Sequence, residues 1–396
     1  MKANRQPKPI LLGLNLLAVL PPVGIALLIY LSRWQWLELL RHPQRLRHDP
    51  VLWFFGGLMV VTGLNLTRHS PQTVLLSLIM LVVVLNLWLL CRFASDSISL
   101  NTCRDLIIRF GLYITISGNL FHWISMPAWL KFLSGNLLWG YAANQNRLFG
   151  SAYNPNDACC LMLIALGLAL VRRTITAHAK PTIHELVTLT ILGIGILQTQ
   201  SRTGIGLMAI LFVTVLFIRY RRHRVLIILI AGACLALTLT LLPRHGTLLA
   251  TLATRLSIWH NSFAVFTQSP ILGVTYYGFS HQYQLLTGTS VPHAHDIFLM
   301  LLASFGLVGG GGFTILAIRG GWQLRQIWQR YRPDNVQYLV VTLPLIFAYG
   351  ITDFVLSSFQ VLVIVLLLFA YWQRETVQQK IRRSIKKNSS EKKVTS

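Results

Sequence analysis

The feature that most restricts this chain is an alternation of long, nearly charge-free apolar runs with short clusters of basic residues. The runs fall at 51–66, 72–93, 105–125, 157–171, 185–200, 203–219, 224–242, 296–318, 336–352 and 354–373. A helix of about twenty apolar residues crosses the hydrocarbon layer, and inside that layer a chain must pair its backbone polar groups without help from water. With 54% of its 396 residues hydrophobic and 12% charged, the chain is expected to be an all-α polytopic membrane protein.

The N-terminal run needs a separate argument. As one span, 9–32 would set Arg33, Arg41, Arg45 and Arg47 opposite Lys2, Arg5 and Lys8, which the positive-inside rule disfavours. Pro21 and Pro22 interrupt the run, and proline both removes a donor and clashes with the preceding turn. A short hairpin of two helices is expected, giving about twelve transmembrane helices with both termini cytoplasmic. This topology assigns 29 of the 35 basic residues to the inside. The net charge of +24 therefore reads as topology control with attraction to anionic lipid, and nucleic acid is not implied as a partner.

One membrane domain is expected over 1–373, with two large outward loops near 126–156 and 243–295, and a basic cytoplasmic tail over 374–396 of disordered composition. No cleavage site follows the first apolar run, which is expected to stay in the membrane. The cysteines Cys91, Cys103, Cys159, Cys160 and Cys234 show neither a disulfide framework nor metal-ligand spacing. The acids assigned outside are Asp157, Asp296 and Asp353, with no D-x-D pair, H-E-x-x-H or carboxylate cluster. No metal and no cofactor is therefore expected, and the absence of a G-x-x-x-x-G-K-[ST] loop gives no sign of nucleotide hydrolysis.

Cytoplasmic cations are explained by topology, so the outward ones invite chemistry. Arg202, in "QTQSRTGIG", begins a helix, where a cation opposes the dipole and is better suited to an anion; a guanidinium grips diphosphate oxygens in a bidentate fork. The alternative is a side chain that snorkels to headgroups. Arg255 is expected at the start of an amphipathic helix whose Leu256, Trp259, Phe263 and Phe266 recur at helical spacing, followed by a Ser-Pro turn and a strand-like or irregular segment. Arg147 admits an anion contact or a salt bridge to Asp157, and Asn154-Pro155-Asn156-Asp157 has the signature of a helix cap. In "PHAHDIFLMLL", Asp296 is an N-cap candidate for the next helix, and His295 could take a proton from a hydroxyl or make ordinary interfacial contacts. His293 receives no role. The glycines Gly309 to Gly312 suit close helix packing.

Together these motifs resemble the O-antigen ligase and polymerase superfamily of bacterial membrane glycosyltransferases. The resemblance rests on the N-terminal hairpin, Ser201-Arg202-Thr203-Gly204, Arg255-x-x-x-Trp259, the "SPILGV" turn, Asn154-Pro155-Asn156, and a histidine entering a helix that ends Gly306-Leu307-Val308-Gly309. It implies metal-independent transfer of a glycan from a polyprenyl diphosphate to an acceptor hydroxyl of a glycan, lipid or protein. The reaction would occur on the outer face of the bacterial cytoplasmic membrane, with polysaccharide-assembly proteins as possible partners. By position it implies that Arg202 and Arg255 hold the diphosphate, with Arg147 as a helper, and that His295 is the base, with Asp296, Asn154 and Asn156 in support. The sequence departs from the family pattern at Asp296, where asparagine is common, and at Ser304-Phe305-Gly306, where Glu-Thr-Gly or a similar triplet is common. The competing class is a lipid-linked oligosaccharide flippase or other secondary transporter, which would carry ionisable residues or broken helices near the bilayer midplane.

Overall fold

A computed structural model describes residues 8–41, 49–124, 127–134, 140–142, 146–175, 182–241, 248–331 and 334–394. The expectations for Lys2, Arg5, Arg45 and Arg47 lie outside those residues.

The chain is a helical membrane protein. Each of the ten apolar runs lies on a helix: α3 (Pro50–Leu64), α4 (Pro71–Ser97), α5 (Leu100–Trp123), α7 (Pro155–Ile175), α8 (Ile183–Gln198), α9 (Arg202–Arg219), α10 (Arg224–Leu241), α13 (Ile297–Tyr331), α14 (Asp334–Gly350) and α15 (Phe359–Val394). Among the described residues four stretches are long and apolar enough to cross a bilayer: Pro50–Thr67, Pro71–Ser97, Ile297–Gln326 and Phe359–Thr376. Five further apolar helices are shorter. Between the runs lie α6 (Ala128–Leu133), α11 (Leu248–Gln268), α12 (Gly278–Thr287) and an antiparallel strand pair, β1 (Gly140–Ala142) with β2 (Arg147–Gly150). The strand pair is a small exception to the all-α expectation. Helix α15 continues through the basic segment to Val394, where composition had suggested disorder; Gln, Lys, Arg and Glu are all good helix formers.

The expected N-terminal hairpin is present as α1 (Lys8–Val19) and α2 (Pro21–Arg41), broken at Leu20 just before the proline pair. Twelve residues give α1 a length of roughly 18 Å, short of the roughly 30 Å hydrocarbon layer. Its last carbonyls must therefore find partners inside the protein. Gln360 Nε2 donates to Leu17 O at 2.9 Å, and Ser151 Oγ donates to Ala18 O at 2.6 Å.

Helix α7 is the axis of the bundle. Its residues from Ala158 to Leu166 are all at most 2% exposed, as expected of a helix that is apolar all round. It packs against α5, α8, α9 and α14, while α15 packs against α4 and α14. At the far end from the candidate site, Asp49 caps α3 through the N–H groups of Val51 and Leu52. The same carboxylate accepts from Trp88 Nε1 at 3.1 Å and Gln373 Nε2 at 3.3 Å, tying α3, α4 and α15 together.

Helix α13 is broken at Gly306, whose φ of 60° lies in the left-handed region. The "SPILGV" segment fills the break with backbone hydrogen bonds. Val274 N–H donates to Ala303 O at 2.9 Å, Thr275 N–H to Ser304 O at 2.8 Å, and Leu307 N–H to Pro270 O at 2.8 Å. Two motifs separated in sequence are thus one structural joint. Gly312, in the glycine run, lies against Phe54 of α3, in keeping with a packing role.

A Cβ at Gly306 would lie 2.2 Å from Ile271 O, in addition to the cost of its backbone conformation. Gly306→Ala should lower stability by about 2 kcal/mol or more. Gly311→Ala, where a Cβ meets nothing within 4 Å, should be neutral or slightly stabilising. Thermal unfolding of both variants in detergent checks the contrast.

Candidate active site

The residues singled out from sequence come from five separate places in the chain, and each is held by its own local chemistry. Asn154 caps α7, its Oδ1 accepting from Asn156 N–H at 2.8 Å, with Pro155 at the first helical position. The cap reading therefore holds for Asn154. Asn156 uses its side chain elsewhere.

Ser201 caps α9 through Gly204 N–H. Its hydroxyl also meets Tyr349 Oη at 2.8 Å, and Tyr349 donates to Asn156 O at 3.0 Å. Gly204 is needed because a Cβ there would overlap Cys159 Sγ of α7. Thr203 Oγ1 accepts from Thr352 Oγ1 at 2.9 Å. In the Ser-Arg-Thr-Gly motif three residues thus fasten the start of α9 to α7 and the end of α14, and Arg202 is the half-buried side chain that they present.

Arg255 sits two turns inside α11 rather than at its start, because the helix begins earlier, at Leu248. The buried face of α11 is Ile258, Ser262 and Val265, flanked by the partly buried Trp259 and Phe266, while Leu256 and Phe263 are exposed. Trp259, one turn after Arg255 on the same side, donates from Nε1 to His295 O at 3.4 Å. The Arg-x-x-x-Trp spacing thus carries Arg255 toward the histidine loop. The segment after "SPILGV" is irregular only as far as Tyr277, and α12 begins at Gly278.

Asp296 caps α13, accepting from Leu299 N–H at 2.8 Å. His295 precedes it with φ 52°, a left-handed conformation that is uncommon outside glycine and carries a cost. That conformation aims its ring at Asp353: Nδ1 lies 2.8 Å from Oδ1. The histidine side chain is 28% exposed and the carboxylate 6%. A buried acid behind a reachable imidazole fixes the ring and its tautomer, leaving Nε2 to take a proton.

Asp353, between α14 and α15, carries no role in the sequence reading. The available signal was its position as one of three acids assigned to the outer side, isolated between two apolar runs. Its Oδ1 also accepts from Phe354 N–H at 2.9 Å, and its Oδ2 from Asn156 Nδ2. Burial alone would raise this carboxyl. The hydrogen bond from His295 and the electrostatic influence of His295, His293 and Arg255 outweigh burial and hold it below the usual value. His293 stacks edge-on with His295, ring centroids 4.4 Å apart. Burial first, then His295 and Arg255, push its imidazole down to about 4 against the pull of Asp353, so it is neutral near pH 7.

Arg147 donates from Nε to Thr199 O at 2.7 Å and from a terminal nitrogen to Asn156 Oδ1 at 2.8 Å. The fold thus brings Arg147, Asn156, Asp353, His295 and His293 into one connected cluster. Arg255 is close enough to act on its charges.

His293, His295 and Asp353 also present three donor atoms within 4.8 Å of one another, a set that metals use. Here the donors face each other: Asp353 Oδ1 holds His295 Nδ1, and His293 Nδ1 accepts the His295 N–H at 3.4 Å. A metal held by all three residues would take the place of the His295–Asp353 hydrogen bond.

Beside the cluster an apolar cavity of about 190 Å³ runs among α3, α4, α13, α14 and α15, lined by Phe54, Leu81, Leu301, Phe313, Phe347 and Phe354 among others. Phe354 belongs to both places, being the neighbour of Asp353 and stacking with His293 at 5.9 Å.

Because the Asp353 carboxyl is held below its ordinary value of 3.8, the stability it contributes is present above that value and lost as pH falls through the folded one. The unfolding midpoint in detergent should therefore drop between about pH 5 and pH 3 in the wild type. In Asp353→Asn the midpoint should start lower at neutral pH and depend less on pH across that interval.

A comparison with curated proteins finds no match. Residues 187–314, which include Arg202, Arg255, His295 and the Gly306 break, match the family model described as O-antigen ligase. Over that segment, which is less than half of its length, the chain is similar to the O-antigen ligase family, and its long apolar helices are those of a membrane protein.

Proposed function

We propose that the protein transfers a glycan from a polyprenyl diphosphate carrier to an acceptor hydroxyl, without a metal, at the outer face of the cytoplasmic membrane. It would act as a surface polysaccharide polymerase or an O-antigen-type ligase. The observation that carries this reading is the contact between two unlike environments. A His–Asp pair suited to proton removal shares Phe354 with an apolar cavity among membrane helices. A soluble sugar nucleotide has no use for such a neighbour, whereas an isoprenoid-anchored donor presents a hydrocarbon chain and a diphosphate side by side.

In the proposed reaction His295 Nε2 removes the proton from the acceptor hydroxyl as its oxygen attacks the anomeric carbon. The bond from that carbon to the diphosphate oxygen breaks, and the carrier diphosphate leaves with the electron pair. Arg202 and Arg255 hold the diphosphate and offset the charge that develops on it, which is the service a metal would otherwise supply. Direct displacement inverts the anomeric configuration. Asp353 keeps Nδ1 protonated and stabilises the imidazolium that forms. The transporter reading is less well supported, because the ionisable cluster gathers at helix ends.

Protein reconstituted in liposomes with a polyprenyl-diphosphate glycan should release polyprenyl diphosphate and form the glycosidic product. His295→Ala should reduce turnover by about 10²-fold or more, while prior treatment with EDTA leaves the wild type unchanged. Near-native turnover by the variant, or loss on chelation that added metal restores, would sink the base or the metal-free mechanism respectively. A cysteine at Arg202 should react with a membrane-impermeant thiol reagent in intact spheroplasts; labelling only after lysis would reverse the orientation.

A further inference from the structure

We infer that Asn156 and Arg147 are positioning residues for the reaction, acting through Asp353 to set the protonated nitrogen of His295; this rests on the reading of His295 as the base. Asn156 is the second residue of α7, and its backbone is fixed by the Asn154 cap and by Tyr349. Its amide has only one workable orientation. A guanidinium can only donate, so Oδ1 must face Arg147, and an ionised carboxylate can only accept, so Nδ2 must face Asp353. The hydrogen bonds therefore run in one direction, from Arg147 to Asn156 to Asp353, and meet there the bond from His295 Nδ1.

Two consequences follow for the chemistry. Asp353 receives donors on both oxygens, from His295 and Phe354 N–H on Oδ1 and from Asn156 on Oδ2. A carboxylate so supplied is a poor proton acceptor, so it holds the Nδ1–H without removing it. Nε2 is then the nitrogen with the free lone pair. Arg147 meanwhile commits Nε to Thr199 O, at the end of α8, and a terminal nitrogen to Asn156. Its charge lies behind the amide, where it polarises Asn156 toward Asp353. This assignment differs from direct diphosphate binding in what its loss would do.

Loss of either residue leaves a more basic Asp353 that grips the imidazolium form of His295 more tightly. The acidic limb of activity must then move to higher pH. In the liposome assay Asn156→Ala and Arg147→Gln should each lower kcat about tenfold and move the acidic limb of kcat/KM upward. Inhibition by inorganic diphosphate should stay within about twofold of the wild type. The double variant should be little worse than either single one, as for residues in one chain of contacts.

An unmoved acidic limb in Asn156→Ala overturns the inference. Arg147→Gln that weakens diphosphate inhibition about tenfold with its limb in place overturns it for Arg147, making that residue a diphosphate ligand. Asn156→Leu, which keeps the side-chain volume and removes both hydrogen bonds, covers the case in which the alanine variant fails to fold; it should show the same upward shift, and an unmoved limb there is equally fatal. His295→Ala assayed alongside separates the two levels. If it turns over normally, the base assignment has failed, and if it is inactive while the Asn156 limb stays put, only the positioning role has.

Discussion

Backbone groups placed in hydrocarbon have no water to turn to, and each one left unpaired costs several kcal/mol. The rest of this structure depends on how that constraint is met where helices stop. Regular helices satisfy it internally, so the exceptions carry the information. The end of α1 is completed by Gln360 and Ser151. The break in α13 is completed by the chain from Pro270 to Thr275, which pairs with the backbone freed around Gly306. These two repairs fix the hairpin in the bundle and dock the segment after α11 onto α13.

The candidate site is a consequence of the same arrangement. Docking of 270–275 on α13 and the bond from Trp259 to His295 O hold α11 beside the start of α13. Capping of α7 and α9 by Asn154 and Ser201 brings Asn156 and Arg202 to that level, and Tyr349 binds Ser201 and the Asn156 carbonyl to the end of α14, from which Asp353 extends. None of these residues is adjacent in sequence to its working partner. Rigid helix ends allow a half-exposed histidine to keep its orientation against a buried carboxylate.

The helices were legible because hydropathy acts over long windows, and the proline pair at 21–22 marked the hairpin break. Asp296 as a cap and Arg202 at the start of α9 were equally readable, since both depend on neighbours within one turn. Asp353 was not, because what makes it important is a bond to a residue 58 positions away. Arg255 was misplaced by two turns because α11 begins earlier, at Leu248. Beside a membrane, large apolar side chains such as Leu256 and Phe263 can stay outside, so periodicity alone does not say which stripe is packed. The Ser-Pro and Gly-Leu-x-Gly motifs could be noticed separately, but only coordinates reveal that they pair with each other.

The contacts of α15 bear on how such a chain is made. Gln360 completes Leu17 O, Tyr371 donates to Ile98 O, and Gln373 reaches Asp49. During synthesis the first helices therefore enter the bilayer long before their partners exist. The exposed carbonyls of the hairpin tip must be shielded meanwhile, by lipid headgroups, water or the insertion machinery. Insertion of α15 is the step that retires those temporary partners, so the mature arrangement of the hairpin is decided by a segment 343 positions further along the chain.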